Sequence, residues 1–342
     1  MSKYSYNCTD KSIILPYFKQ YYVRYYFKLI PQFLTANLIT IFSSLLNLAM
    51  LYACYNLSDD ILLPLILCFC INGYVVGDHL DGMQAKETKT GSALGEFLDH
   101  YFDVYNGSII LLVTFLLVGI SNIPKEVFYF MFWLNFLAFG ATMTEELETG
   151  SITFGKIGTL EGLVILIFVY LSWSITPIRE FWNSEMVWGY SWYWAILVCV
   201  GLGYLITTLE ILIRIRMFPG HFFVFTMISF LLVCVLILSD ASLWQGWLLA
   251  TLLGGEYTVK VLESHLLQKK SKHTDFAAIT AIIILCGLAV FRMGDSSLTG
   301  VLLDGLTLYL IAKVIYLFTC VFTQLRQHWH WVNPHFSGRN KK

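Results

Sequence analysis

Ten runs of apolar residues, each close to the length needed to cross a bilayer, occupy most of this 342-residue chain. A helix rises about 1.5 Å per residue, so about 20 residues cover the hydrocarbon. By that measure the spans fall near residues 35–55, 61–79, 97–120, 126–147, 158–176, 192–212, 221–239, 243–266, 275–292 and 298–323, the second and ninth being short. The sequence therefore predicts an all-α, polytopic integral membrane protein with about ten transmembrane helices.

Composition agrees with this reading. The chain is 57% hydrophobic and only 13% charged, against about 25% charged in an average soluble domain. Its net charge of -1 offers no basic stripe for nucleic acid, so no nucleic-acid partner is expected. The eight cysteines sit almost entirely in apolar stretches without a CxxC pair and read as small buried hydrophobes, with no disulfides and no zinc. The first thirty residues lack the apolar core and small-residue cleavage site of a signal peptide. They read as an interfacial helix with aromatic and basic residues at headgroup level. No Gly- or Ser/Pro-rich linker and no internal repeat divides the chain. A single membrane domain over 1–342 is expected, with an interfacial segment at 1–33, a helical bundle at 34–323 and a cytoplasmic tail at 324–342.

Lys and Arg concentrate in cytoplasmic loops. With ten spans, seventeen basic residues fall on one side: Lys3, Lys11, Lys19, Arg24, Lys28, Lys86, Lys89, Lys156, Arg214, Arg216, Lys269, Lys270, Lys272, Arg326, Arg339, Lys341 and Lys342. Only Lys125, Arg179 and Arg292 fall on the other. Both termini, and the acidic stretch GDHLDGMQAKETKTGSALGEFLDHYFD (77–103), are thus expected at the cytoplasmic face.

In that stretch Asp78 and Asp81 are three residues apart and Asp99 and Asp103 four apart, so on helices each pair projects from one face. The polar KETKTGSALG between them suits a turn. Two antiparallel helices then aim four carboxylates at one point, where like charges disfavour ionisation unless a cation intervenes. With oxygen ligands and no thiolate, hard ions such as Mg²⁺, Mn²⁺ or Ca²⁺ fit better than zinc. Paired ions at such a site stabilise attacking and leaving oxygens in displacement at phosphorus.

The same residues carry a resemblance. Asp78-x2-Asp81-Gly82-x2-Ala85-Lys86-x8-Gly95-x3-Asp99-x3-Asp103 is similar to the signature of the CDP-alcohol phosphotransferases, D-x2-D-G-x2-A-R-x8-G-x3-D-x3-D. Lys86 departs from it, keeping the charge of the family's arginine without its planar two-pronged contact with phosphate. The segments PQFLTANLITIFSSLLNL, ETGSITFGKIGTLEG and FTQLRQHWHWVNPHF resemble the choline and ethanolamine phosphotransferase branch, so the likeness covers nearly the whole chain.

The resemblance implies the CDP-alcohol phosphotransferase fold and a reaction in which a lipid hydroxyl, usually that of diacylglycerol, attacks the β-phosphate of CDP-ethanolamine or CDP-choline and expels CMP. It implies two Mg²⁺ or Mn²⁺ ions held by Asp78, Asp81, Asp99 and Asp103, with Asp78, Gly82, Ala85, Lys86 and Gly95 around the nucleotide. An alcohol needs a proton acceptor. His100 is the candidate base, with Glu161 as its orienting partner or a proton relay and Asp103 beside it. Ceramide as acceptor, or inositol or glycerol phosphate as head group, is the same chemistry. Glu145 matches an acid of ethanolamine-type sequences and tilts the reading that way. Dimerisation is common in the family. A eukaryotic member would sit in the endoplasmic reticulum or Golgi and a bacterial one in the inner membrane. The rival class, an ion-coupled transporter, places its acids near the bilayer midplane rather than at a cytoplasmic edge.

Other signals read structurally. His328, His330 and His335 with their tryptophans mark an interface. Glu145, Glu146 and Glu148 form an acidic patch that attracts an ammonium headgroup or is simply solvated. Lys260 and Glu263 are spaced to pair, whereas Asp304 and Lys313 are too far apart on one helix to do so.

Overall fold

The computed structural model describes residues 7–58, 61–239, 241–269, 275–291 and 296–334. Lys3, Lys270, Lys272, Arg292, His335, Arg339, Lys341 and Lys342 lie outside them. The helices in chain order are α1 (Leu15–Tyr17), α2 (Arg24–Phe27), α3 (Ala36–Asn56), α4 (Leu62–Thr88), α5 (Ala93–Val118), α6 (Lys125–Thr149), α7 (Thr159–Trp173), α8 (Thr176–Asn183), α9 (Tyr193–Ile215), α10 (Gly220–Leu238), α11 (Leu243–Leu267), α12 (Phe276–Phe291) and α13 (Ser296–Leu325). A π-helical turn over Phe18–Val23 links α1 to α2.

Every expected span is matched by a helix, yet not all meet the requirements for crossing a bilayer. Among the described residues seven helices are long and apolar enough, and the α7–α8 pair, bent by 110°, makes an eighth if it is one span. The expected ninth span, α12, has only 16 residues, about 24 Å of rise. The expected eighth, α11, carries Glu256, Lys260 and Glu263. The break after α7 follows from Pro177 in the first turn of α8, since proline removes a helical donor and clashes with the preceding turn.

The chain divides into two compact units, one of residues up to 118, 153–203 and from 325, the other of residues 119–152 and 204–324. In the first unit α3 packs along both α4 and α5, and α7 packs on α4. Gly73 and Gly77 of α4 make the close approach possible, because a Cβ at Gly73 would stand 2.6 Å from Leu46 Cδ1 and one at Gly77 2.5 Å from Ser43 Cβ. Small residues four apart let spanning helices meet backbone to backbone. The Thr114 and Tyr170 hydroxyls, 2.8 Å apart, join α5 to α7. The π turn sets Phe18 and Val23, five apart, on one side. Val23 is buried with Ile39, Val76 and Leu80, and Phe18, Tyr26 and Phe27 pack against them.

In the second unit α6 packs on α10 and α11, and α10 on α12. Phe225 and Tyr257 stack at 4.1 Å. Lys260 pairs with Glu256 one turn earlier rather than with Glu263. Lys313, expected to be remote from Asp304, pairs at 3.4 Å with Asp275 at the head of α12, while Asp304 accepts from Gln245 Nε2 at 2.8 Å. Lys260, Lys313 and Asp304 thus each find a partner, as burial in lipid demands.

Candidate active site

The acidic motif lies on helices over nearly its full length. α4 continues to Thr88, nine residues past the expected end of its span, and α5 opens at Ala93. The reversal is therefore confined to residues 89–92. Lys89 takes a left-handed conformation (φ 54°), and the Thr90 N–H donates to the Ala85 carbonyl at 2.9 Å, closing α4 at a position where glycine is usual. The Ser92 hydroxyl accepts from the Gly95 N–H at 3.2 Å and opens α5.

Across this turn one carboxylate oxygen from each of Asp78, Asp99 and Asp103 lies within 4.8 Å of the others. All three are half-buried. Oxygens on opposite sides of one Mg²⁺ stand about 4.2 Å apart when each is about 2.1 Å from the ion, so the grouping is near the size of such a shell. The donor set is all carboxylate, the chemistry of a hard divalent cation. These residues fit Mg²⁺ or Mn²⁺.

Asp81, the fourth expected member, is turned differently. It is buried, and its Oδ2 accepts from Thr40 Oγ1 at 2.5 Å. It remains within electrostatic reach of Asp78, Asp99 and Asp103. The Tyr74 hydroxyl donates to Asp103 Oδ1 at 2.9 Å, and His79 Nδ1 stands 3.3 Å from Asp78 Oδ2. Asn106 Nδ2 donates to Ser44 Oγ at 3.1 Å, so α3 holds both helices of the motif.

Gly82, Ala85 and Lys86 follow Asp78 on one side of α4. A Cβ at Gly82 would meet nothing within 4 Å, and Lys86 is exposed. The protein's own packing leaves that side of Gly82 open. Gly95 differs, since its Cβ would stand 3.2 Å from Asn37 Oδ1, so the close approach it permits is to α3.

His100 is buried on α5 and near enough to Asp103 for their charges to interact. Glu161 is engaged elsewhere. Its Oε1 accepts from Ser12 Oγ at 2.5 Å and from the Ile14 N–H at 3.4 Å, and its Oε2 from the Gly158 N–H at 2.8 Å. Glu161 thus caps α7 and fastens the N-terminal segment, and its hydrogen bonds are to these groups rather than to His100.

The acidic patch at the end of α6 is also committed. Buried Glu145 receives two hydrogen bonds from Arg214, Nε to Oε1 at 2.7 Å and Nη2 to Oε2 at 3.0 Å. Glu148 Oε1 lies 3.2 Å from His221 Nε2, whose Nδ1 is 2.9 Å from the Tyr257 hydroxyl. Glu145 is therefore neutralised by Arg214, which removes the electrostatic reason for it to hold an ammonium group.

Sequence reading missed Tyr74, His79 and Thr40. Tyr74 precedes Asp78 by four residues, so helical spacing alone places it on that face. His79 adjoins Asp78 and carried a visible signal. Thr40 sits in an apolar run of another helix and gave none.

The fold defines a helical membrane protein, and its site an all-carboxylate grouping whose oxygens could hold a divalent cation. Residues 33–201 match the family model of CDP-alcohol phosphatidyltransferases. Similar proteins include an uncharacterized CDP-alcohol phosphatidyltransferase class-I family protein of Schizosaccharomyces pombe, 29% identical over 53% of this chain and 48% of the relative. A CDP-diacylglycerol–serine O-phosphatidyltransferase of Encephalitozoon cuniculi is 25% identical over 76% of this chain and 75% of the relative. Cholinephosphotransferase 1 of Danio rerio is 30% identical over 32% of this chain and 28% of the relative. The first and third alignments thus span about half or less of the relative's length.

Proposed function

We propose that this protein transfers phosphoethanolamine or phosphocholine from CDP-ethanolamine or CDP-choline to the hydroxyl of diacylglycerol, releasing CMP. The observation that carries the reading is the grouping of Asp78, Asp99 and Asp103 within 4.8 Å. The proposal takes these three, with Asp81, as the residues that hold two Mg²⁺ or Mn²⁺ ions. When bound, such ions neutralise pyrophosphate charge and steady the attacking and leaving oxygens.

The remaining work falls to this chain's own groups. Lys86 draws the donor's phosphates to the open side of α4 by charge, and Gly82 leaves room for them. Tyr74 fixes the Asp103 carboxylate and Thr40 fixes Asp81. His100 accepts the hydroxyl proton on an imidazole nitrogen as the acceptor oxygen bonds to the β-phosphorus. The bond from that phosphorus to the bridging oxygen breaks, and CMP leaves with the electron pair. Because phosphoryl transfer proceeds through a loose transition state, positioning and charge neutralisation outweigh the base. The active site faces the cytoplasm in this reading, in a membrane of the endoplasmic reticulum or Golgi, or a bacterial inner membrane, and opens laterally to lipid.

A second reading has its own support in the long match to the serine O-phosphatidyltransferase. There the CDP carries diacylglycerol and the acceptor is a small polar alcohol. Purified protein with Mn²⁺ and a panel of donors and acceptors separates the two. CMP release from CDP-ethanolamine or CDP-choline with diacylglycerol supports the first. Release only from CDP-diacylglycerol with serine or another small alcohol replaces it with the second, and release from neither donor class overturns both.

A further inference from the structure

The N-terminal segment over 15–28 has two sides of different chemistry. One is committed to the protein. Val23 is fully buried with Val76 and Leu80 of α4 and Ile39 of α3, and the Tyr22 hydroxyl donates to Asn72 Oδ1 at 3.0 Å. Phe18 meets the His79 ring edge to face, with centroids 5.4 Å apart, and His79 is the residue beside the Asp78 carboxylate.

The other side is uncovered. Tyr17, Tyr21 and Tyr25, at four-residue spacing, are 66%, 70% and 65% exposed. Lys19, Arg24 and Lys28 are exposed with them, and no acidic side chain among the described residues pairs with any of the three. Every charged group from Pro16 to Ile30 is basic. Tyrosine rings that carry an apolar body and a polar tip settle at headgroup depth, and a basic face beside them is attracted to anionic lipid. A protein partner would be expected to meet an apolar centre ringed by charge. Here exposed cations and phenols alternate along one short segment, which suits a headgroup layer.

We infer that this strip binds the anionic phospholipid headgroups of the surrounding membrane, and that seating it steadies α4 beside Asp78 through Phe18 and His79. The surface stands independently of the transferase reading, whereas the effect on turnover rests on it.

The test uses the full-length protein reconstituted in phosphatidylcholine vesicles, with or without about 30 mol% phosphatidylserine, and reads hydrogen exchange of residues 16–28. Each basic residue at an anionic surface contributes about a five-fold preference, so exchange should slow at least five-fold when phosphatidylserine is present. The slowing should vanish in the Lys19→Glu/Arg24→Glu/Lys28→Glu variant, whose changes fall on exposed residues, and should return in a Lys19→Arg/Lys28→Arg variant. Equal exchange in both vesicle types, or slowing that survives the charge reversal, overturns the proposal.

A second measurement, CMP release, should rise several-fold with phosphatidylserine in the wild type and stay flat in the charge-reversed variant. A flat response in the wild type, with the exchange result intact, overturns the link to α4 alone. A chain that slows exchange yet releases no CMP in any vesicle refutes the transferase reading and leaves the lipid surface standing.

Discussion

Replacing Gly77 by alanine tests whether the α3–α4 contact sets the site. A Cβ there falls 2.5 Å from Ser43 Cβ and 3.6 Å from Ser43 Cα. Carbon atoms rest at about 3.5–4.0 Å, so α3 and α4 must part by about 1 Å, and overpacking of this kind costs about 1–3 kcal/mol. Asp78 follows directly in the chain, and Thr40 of α3 holds Asp81. The displacement therefore changes the spacing of Asp78 from Asp99 and Asp103 on α5. Misplacement by about 1 Å costs on the order of 10²-fold in rate. In detergent, Gly77→Ala should lower kcat/KM for CMP release by about that factor and weaken Mn²⁺ binding. Adding Ser43→Gly removes the obstructing carbon and should restore activity to within several-fold. Gly203→Ala, whose Cβ meets nothing within 4 Å, should have no such effect. Wild-type turnover in Gly77→Ala, or a second substitution that rescues nothing, refutes the reasoning.

Three further outcomes are expected. His100→Gln should reduce CMP release by about 10²–10⁴-fold, the range for loss of a general base, with Mn²⁺ affinity unchanged. Glu161→Gln weakens the acceptor for Ser12, Ile14 and Gly158, so thermal stability should fall by about 1.5–3 kcal/mol and proteolysis near residues 7–14 should quicken, again without loss of Mn²⁺. Arg214→Gln leaves the buried Glu145 carboxylate unpaired and should destabilise by about 3–5 kcal/mol, whereas Glu145→Gln with Arg214→Gln should recover most of that loss. Thermal unfolding in detergent checks the pair.

Much of this fold is legible in the sequence because lipid leaves few options. Apolar runs of about 20 residues mark helices, and a helix occurs at each expected place. What the runs do not carry is where a helix ends in the polar layer. α4 extends through Asp78, Asp81 and Lys86 to Thr88, since backbone bonding continues where hydrophobicity stops. The acidic site is legible because three- and four-residue spacings survive that extension, which brings Asp78, Asp99 and Asp103 together.

Rotamers and partners from distant segments are not legible. Nothing near Asp81 indicates that Thr40, 41 residues earlier, holds its carboxylate. Nothing near Glu161 announces Ser12, 149 residues before it. Lys260 had two acids within helical reach, Glu256 and Glu263, and spacing alone cannot choose between them.

The most direct test is a Mn²⁺ titration of the full-length protein in detergent, read by electron paramagnetic resonance, for the wild type and for Asp78→Asn, Asp99→Asn and Asp103→Asn. Saturable binding in the wild type that each substitution weakens by at least about 10-fold, the lower bound for a site neighbour, is the expected result. Binding unchanged in all three variants, or no saturable binding in the wild type, would contradict a metal site built from these carboxylates.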